Sequence, residues 1–449
     1  MFKKVLIANR GEIALRIIRA CHELGIATVA VHSDVDAGAL HVRFADEAVC
    51  IGPGPARQSY LHMPAIMAAA EITGADAIHP GYGFLSENAE FAAICRQCGL
   101  SFIGPTPEDM RRWGDKVTAR ESAKLYGLPL LPGTDVLRDV DHAVSESQRV
   151  GYPVMLKASG GGGGRGMKII RSAEDMRRAY PQAQQEALAA FKNGNLYCER
   201  FVEEPRHIEF QVLADGDGNA VVLGERECSI QRRHQKLLEE APSIALSAEL
   251  RVSMTKTILH AIRESGYRSL GTLEFLLDGD RGLYFMEMNT RVQVEHPVTE
   301  LVTGVDLVAE QIRIAAGEAP TFPDLWKRDD DPIVARGHAI ECRINAEDPV
   351  SFAPWPGLIT EYNPPGGTGI RVDSGVYGGF RVPGEYDSML AKIITHGRNR
   401  PEAIARMKRA LAETIIGGIR TNIPLHQRII THPDYVSGNV STRFLERMG

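Results

Sequence analysis

Every second residue from Glu287 to Glu295 carries a carboxylate, an amide or a guanidinium. These residues are Glu287, Asn289, Arg291, Gln293 and Glu295, and they follow the apolar run 283–286. If the chain continued as a strand, all five side chains would lie on one side, because side chains alternate between the two faces. Carboxylate and amide oxygens bind hard cations, and guanidinium groups bind oxyanions. The pattern therefore favours a metal and anion site, although the solvated face of an edge strand would alternate in the same way.

Another carboxylate, Glu274, lies thirteen residues before Glu287 in a second apolar segment, 272–276. Residues 278–282, between the two segments, predict a hairpin turn of the sequence Asp-Gly-Asp-Arg-Gly. Two carboxylates about 4 Å apart repel each other by about 4 kcal/mol at an effective dielectric constant of 20, so a divalent cation between them would be favourable.

A run of glycines, residues 160–164, follows Ser159 and is extended by Arg165 and Gly166. The flanking residues 154–157 and 167–170 predict strands. A strand rather than a helix follows the run, which excludes the dinucleotide-binding fingerprint, and the Lys-Ser/Thr pair of a Walker A loop is missing. The run is best interpreted as a hairpin whose backbone N–H groups approach nucleotide phosphates, with a flexible linker as the alternative. Lys157, Lys116 and Lys236 are candidates for phosphate contacts.

Composition restricts the class of protein. The chain has 449 residues, of which 44% are hydrophobic, and a net charge of −6. This length predicts about two to four subdomains. The negative charge argues against non-specific nucleic-acid binding, so the basic residues 232–236 predict a local anion site, or else a solvated charge run. The seven scattered cysteines do not predict a disulfide framework. A short apolar N-terminus and the lack of long apolar runs predict a cytoplasmic protein without membrane spans.

Strand and helix signals alternate over the first hundred residues. Strands are predicted at 4–8 and 27–32 and helices at 11–24 and 63–73, an order typical of a doubly wound parallel sheet. The first strand-to-helix turn, 9–12, lacks the glycines of NAD-binding proteins. Further on, helices are predicted at 115–126, 173–191, 306–317 and 400–415, strands at 196–202, 207–213 and 220–224, and a linker at 320–332.

Taken together, these segments resemble the biotin carboxylase family, a branch of the ATP-grasp fold. The matching segments, in chain order, are IANRGEIA at 7–14, HPGYGFLSEN at 79–88, KAS with the glycine run from 157, SIQRRHQK at 229–236, EMNTR at 287–291, QVEHP at 293–297 and ECRINAE at 341–347. The resemblance extends over essentially the whole chain. It implies an α/β protein of three domains: an N-terminal Rossmann-like doubly wound domain at 1–113, a central ATP-grasp domain at 114–327 with a mobile glycine-rich lid at about 131–203, and a C-terminal α+β domain at 333–446.

The resemblance also implies roles for individual residues. The implied ATP-binding residues are Lys116, Lys157, Gly163, Gly164, Glu199, Arg200, Val202, His207, Gln231, His234, Leu276, Glu274 and Glu287. The implied ligands of Mg²⁺ or Mn²⁺ are Glu274, Glu287 and Asn289. The residues implied for bicarbonate and biotin are Lys236, Arg291, Gln293, Val294, Glu295, Arg343, Tyr82, Gly83 and Glu87. Among these, Glu295 is implied as the general base, and Arg291, Lys236 and Arg343 as the other catalytic groups.

The implied activity is ATP-dependent carboxylation of biotin through carboxyphosphate, the first half-reaction of a carboxylase such as acetyl-CoA carboxylase. The family's biotinylated segment contains Met-Lys-Met, which this sequence lacks, so biotin is expected on a separate carrier protein. Biotin carboxyl carrier protein, carboxyltransferase subunits and a second copy of the chain are the expected partners. Two alternatives stay open: another ATP-grasp ligase that joins an acyl phosphate to an amine, and a nucleotide-binding subunit without turnover. The final acceptor, whether acetyl-CoA, another acyl-CoA, pyruvate or a urea-type compound, also stays open.

Overall fold

The computed structural model describes residues 1–159, 167–279, 282–321 and 332–448. The predicted glycine hairpin, with Gly163 and Gly164, and most of the predicted linker at 320–332 lie outside the described residues. None of the helices within the described ranges is long and apolar enough to cross a membrane.

The N-terminal region contains the predicted parallel sheet. Its strands, in spatial order, are Glu47–Gly52, Ala27–Ser33, Lys4–Ile7, Ala77–His79 and Ser101–Phe102, and all neighbours are parallel. Its helices are Gly11–Glu23, Leu40–Phe44, Met63–Thr73, Ala89–Gln97 and Pro107–Gly114, with single 3₁₀ turns at Asp34–Asp36 and Ala56–Gln58. The central strand is apolar and fully buried from Val5 to Ile7, because a parallel sheet is covered on both faces. The predicted helices at 11–24 and 63–73 are confirmed.

The central region adds six helices to the described part of the chain: Lys116–Leu125, Val140–Val150, Ala173–Phe191, Ala248–Ser265, His296–Thr303 and Leu307–Ala315. A small antiparallel sheet has the strand order Lys168–Ile170, Val154–Ala158, Leu196–Arg200. The predicted helix at 173–191 begins where expected because the side chain of Ser172 accepts a hydrogen bond from the backbone N–H of Asp175.

A large antiparallel sheet connects the central region to the C-terminal region. Its eight strands, in spatial order, are Leu283–Asn289, Arg268–Leu277, Arg206–Asp215, Ala220–Arg232, Gln235–Ala241, His338–Asn345, Met389–Gly397 and Ile370–Ser374. The last three strands come from beyond residue 332, so the backbone hydrogen bonds continue from the predicted central domain into the predicted C-terminal domain. One continuous sheet therefore carries side chains of both predicted domains.

The rest of the C-terminal region packs on this sheet. Its helices are Arg400–Glu413, Ile423–Thr431, Pro433–Ser437 and Phe444–Met448, and its short strand pairs are Gly357–Leu358 with Arg381–Val382 and Glu361–Asn363 with Ile415–Gly417. The predicted helix at 400–415 is present but ends at Glu413. Its start is fixed by Asn399, whose side chain accepts from the backbone N–H of Glu402.

The prediction of one extended segment from Glu287 to Glu295 is wrong. The strand ends at Asn289, a turn follows, and Glu295 lies directly before the helix His296–Thr303. The alternation of side chains along the strand stops at Asn289. The positions of the polar side chains after Asn289 are therefore set by the turn and by the start of the helix. The strand Leu283–Asn289 does lie at the edge of the large sheet, yet its polar residues face a cleft.

Candidate active site

A cleft of about 1060 Å³ opens between the N-terminal region, the small sheet and the large sheet. Most of the residues that the sequence singled out line it: Tyr82, Gly83, Lys116, Lys157, Glu199, His207, Gln231, His234, Lys236, Glu274, Leu276, Glu287, Asn289, Arg291, Gln293, Val294 and Arg343. Four predicted residues with described positions are not in its lining. Glu295 and Glu87 accept hydrogen bonds from the lining residues Lys236 and Arg291, respectively. Arg200 pairs with Asp278 at 2.9 Å, and Val202 is buried.

The ammonium group of Lys236 lies at the centre of three carboxylates. Its Nζ is 2.5 Å from Glu209, 2.8 Å from Glu274 and 2.8 Å from Glu295. These groups come from three strands and one helix start, and all are buried or nearly so. Burial alone would lower the pKa of Lys236, but the three carboxylates raise it well above its ordinary value. The lysine is therefore a fixed positive charge at this end of the cleft.

Glu295 is fully buried between two cations. Oε1 accepts from Lys236, and Oε2 accepts from Arg343 at 2.9 Å. Burial would raise the pKa of Glu295, but Lys236, Arg343 and Arg226 lower it well below its ordinary value. Arg343 in turn donates from Nε to Glu239 at 2.6 Å. The carboxylate is thus ionised, and its strength as a base depends on whether these two cations stay on it.

The two predicted metal-binding carboxylates face each other on neighbouring strands. Glu274 and Glu287 are direct partners in the antiparallel register, and Lys116 lies 3.6 Å from Glu287. Burial would raise the pKa of Glu274, but Lys236 and then His207 lower it, so it is ionised. Paired anionic oxygens on adjacent strands suit a divalent cation such as Mg²⁺ or Mn²⁺.

Asn289 can join this set through its amide oxygen. Its Nδ2 donates to Glu274 at 2.9 Å, and its Oδ1 accepts from Arg291 at 2.9 Å. A half-turn of the amide would direct the oxygen toward the carboxylates instead. The donor set of the predicted metal site is therefore chemically consistent with a hard cation.

Arg291 is held in the cleft wall by acceptors on three sides. It donates to Glu87 at 3.0 Å, to Gln293 at 2.9 Å and to Asn289. The same Glu87 accepts from the backbone N–H of Thr290 at 3.1 Å. The carboxylate of Glu87, from the N-terminal region, thus orients the guanidinium of Arg291. The remaining N–H groups of Arg291 can donate to an oxyanion.

At the other end of the cleft, basic side chains surround Glu199. Lys157 and Arg120 both form ion pairs with this carboxylate. His207 lies 3.0 Å from Gln231 through Nδ1 and 3.2 Å from Glu274 through Nε2. The predicted nucleotide-binding side chains that line the cleft therefore lie along one surface that leads to the carboxylate pair.

The sequence analysis missed several charged residues of the site, above all Glu209, Glu239, Arg226 and Arg120. Glu209 had a local signal, because polar and apolar residues alternate over 207–211. Arg226 is fully buried and pairs with Glu209. Glu239 faces Glu341 across the strand pair Gln235–Ala241 and His338–Asn345. This pairing joins residues about a hundred positions apart, so no local pattern could have indicated it.

Three protein-family models match the chain. Biotin carboxylase, N-terminal domain, matches residues 1–110; carbamoyl-phosphate synthase L chain, ATP binding domain, matches residues 115–321; and biotin carboxylase C-terminal domain matches residues 341–447. Among curated proteins, the chain is 57% identical to a biotin carboxylase of Nostoc sp., over 100% of this chain and 99% of that protein. It is 55% identical to the biotin carboxylase of Haemophilus influenzae, again over 100% and 99%.

Solved structures give the same result. A biotin carboxylase from Campylobacter jejuni, described as a complex with β,γ-ATP, matches with a TM-score of 0.94 and 45% identity, over 100% of this chain and 99% of that chain. The biotin carboxylase domain dimer of 2-oxoglutarate carboxylase from Hydrogenobacter thermophilus, with MgADP, ADP and bicarbonate, matches with a TM-score of 0.92 and 49% identity, over 100% and 98%. The predicted α/β, ATP-grasp fold class is confirmed. The chain belongs to the biotin carboxylase family and is an ATP-dependent ligase.

Proposed function

We propose that this chain carboxylates biotin held on a separate carrier protein, using ATP, bicarbonate and Mg²⁺ or Mn²⁺. The reaction is the first half-reaction of a biotin-dependent carboxylase of the acetyl-CoA carboxylase type. Curated relatives of almost the same length that are named biotin carboxylase support a separate carrier. The division into 1–113, 114–327 and 333–446 is part of the proposal.

ATP lies along the surface between Glu199 and the carboxylate pair. Lys116 and Lys157 contact its phosphates, and the other nucleotide contacts are those that the sequence predicted, including Gly163 and Gly164 of the glycine run. Glu274 and Glu287, with Asn289, hold the metal ion. That ion, when bound, neutralises charge on the phosphate oxygens and on the two carboxylates.

Bicarbonate binds between Lys236 and Arg291, beside Gln293 and the backbone of Val294. As the bicarbonate oxygen attacks the γ-phosphorus of ATP, Glu295 accepts its proton, the bond from the γ-phosphorus to the β–γ bridging oxygen breaks, and carboxyphosphate forms as ADP leaves. Without substrate, the hydrogen bond from Lys236 stabilises the ionised Glu295 carboxylate and so makes it a weaker base. When Lys236 turns to the incoming anion, that restraint weakens and the pKa of Glu295 rises, so that substrate binding itself activates the base.

Carboxyphosphate then separates into CO₂ and phosphate. The phosphate takes the proton of the biotin ureido nitrogen, and that nitrogen attacks the carbon of CO₂. Arg343 stabilises the negative charge on the ureido oxygen. Tyr82 and Gly83 form the biotin side of the cleft, and Glu87 supports it from outside the lining by holding Arg291. The proton on Glu295 passes to solvent, so that one ATP, one bicarbonate and one biotin are converted into ADP, phosphate, carboxybiotin and one proton.

The proposed partners follow from this chemistry. A biotin carboxyl carrier protein brings biotin to the cleft, and carboxyltransferase subunits use the product. We further propose a homodimer, which is supported by the dimer named for the related 2-oxoglutarate carboxylase domain. The cytoplasmic location stays a prediction.

The observation that carries the proposal is the buried Glu295 between Lys236 and Arg343. Lys236 also donates to Glu274, one of the two facing carboxylates. Its test is ADP release by the purified chain with Mg²⁺, with bicarbonate and free biotin added separately and together. We expect release to require bicarbonate and to be accompanied by carboxybiotin. ATP cleavage that neither compound stimulates would refute the proposal, and a product formed only with another amine would favour the alternative ligase.

A further inference from the structure

Three consecutive backbone carbonyls just before Glu295 accept hydrogen bonds from side chains. Arg291 donates to Val292 at 3.3 Å, His296 to Gln293 at 2.8 Å and Lys392 to Val294 at 2.8 Å. The first two donors belong to the same turn and the helix that follows it. Lys392 belongs to the strand Met389–Gly397 of the C-terminal region. One bond from a distant part of the chain thus reaches the peptide unit that leads into the proposed base.

Lys392 is fully buried. Its Nζ lies 3.3 Å from Glu12 and 3.9 Å from Asp373. The other charged or titratable groups that face this cluster are Glu341, Arg371 and His296. Burial would lower the pKa of Lys392, but Glu12, Glu341 and Asp373 raise it, so the lysine is a permanent cation and a permanent donor.

The charge of Lys392 is better explained by its bond to Val294 than by stability. Buried ion pairs contribute little net stability compared with apolar side chains of similar volume. The trans peptide unit is planar, so a bond that fixes the Val294 carbonyl also fixes the N–H and the Cα of Glu295, from which its side chain extends. In this orientation Glu295 reaches both Lys236 and Arg343.

We propose that Lys392 is a positioning residue that keeps the Glu295 carboxylate directed toward the proposed bicarbonate site. The same lysine connects Glu295 to the opposite wall, because Tyr82 donates to Glu12, and Glu12 is the nearest carboxylate to Lys392. The buried ammonium group of Lys392 therefore contacts both Glu12, which accepts from Tyr82 on the proposed biotin side, and the peptide unit before Glu295. This inference rests on the proposed function.

The test is the Lys392→Met variant of the full-length protein, which removes the donor but keeps the length of the side chain. We expect kcat/KM for bicarbonate in the ATP-cleavage reaction to fall about 10- to 100-fold, the scale of an ångström-sized displacement of a catalytic group. KM for ATP should stay within about two-fold, because the nucleotide residues are elsewhere in the cleft. Lys392→Arg, which keeps the charge and can donate, should recover part of the loss.

Lys408→Met is the matched control, since Lys408 is exposed on the helix Arg400–Glu413, and it should leave both constants unchanged. Lys392→Met also leaves Glu12 without its cation, so a second variant, Lys392→Met with Glu12→Gln, restores the charge balance and should show the same loss for bicarbonate. An unchanged kcat/KM for bicarbonate overturns the role of Lys392. So does an equal loss of ATP binding, or the failure of both variants to fold. A wild-type protein without bicarbonate-dependent ATP cleavage refutes the proposed function instead.

Discussion

The sharpest prediction concerns Glu295→Gln, which removes one negative charge and almost no volume. In the wild type this carboxylate accepts from Lys236 at 2.8 Å and from Arg343 at 2.9 Å. Both cations keep other carboxylate partners in the variant, so we expect the free energy of unfolding to fall by only about 1–3 kcal/mol. Glutamine cannot accept the bicarbonate proton. Loss of a general base lowers turnover by ~10²–10⁴-fold, or about 3–5 kcal/mol at the transition state.

The assay is bicarbonate-dependent ADP release at saturating ATP, together with nucleotide binding measured by titration. Nucleotide affinity should stay within about three-fold of the wild type. The matched control is Glu225→Gln, because Glu225 is a buried carboxylate paired with Arg251 and is not part of the cleft lining. It should cost similar stability and leave turnover unchanged. If Glu295→Gln turns over like the wild type, the carboxylate is not the base; if the control loses as much turnover, the assay reports stability and not chemistry.

Three further predictions follow from the geometry. Glu287→Gln, which weakens one of two facing carboxylates, should raise the Mg²⁺ concentration for half-maximal activity about ten-fold; an unchanged requirement would place the metal elsewhere. Arg343→Lys cannot bridge two carboxylates as a planar guanidinium does, so the ratio of ADP to carboxybiotin should rise, and constant stoichiometry would contradict this role. Burial lowers the pKa of His41 from 6.5 to about 4. Because the unfolded chain protonates first as pH falls below about 6.5, this group costs roughly 3 kcal/mol of stability by pH 4. His41→Leu should flatten that decline in urea titrations, whereas the same change at exposed His62 should not.

Local signals were sufficient for much of the fold. The helix Ala173–Phe191 has the predicted bounds, and the Ser172 side chain caps its start. The N-terminal sheet was predicted because strand and helix patterns alternate there at ordinary spacing. The large sheet was not predicted as one unit, because the pairing of Gln235–Ala241 with His338–Asn345 depends on contacts between distant segments. Local periodicity carries no information about such pairing.

The candidate site was predicted in its residue types but not in its geometry. Alternation correctly indicated that Glu287 and Asn289 share a face, and it failed after Asn289, where the strand ends. The roles of Lys236 and Arg343 came from the family resemblance, since a single basic residue in a sequence does not show which carboxylates it will meet. Glu239 was missed for the same reason: its partner Arg343 is a hundred positions away in the chain. Charge pairing in the site is a property of the tertiary fold.

The continuous eight-stranded sheet has a consequence for dissecting the protein. A fragment that ends near residue 321 would lose the strand His338–Asn345 and expose the backbone N–H and C=O groups of residues 238–241, which pair with it. A newly opened strand border of this kind is a template for pairing with other chains. It would also uncover Leu237 and Leu238, which are now buried. Such a fragment should self-associate rather than persist as a monomeric nucleotide-binding module, even though the removed portion begins beyond the last proposed nucleotide contact.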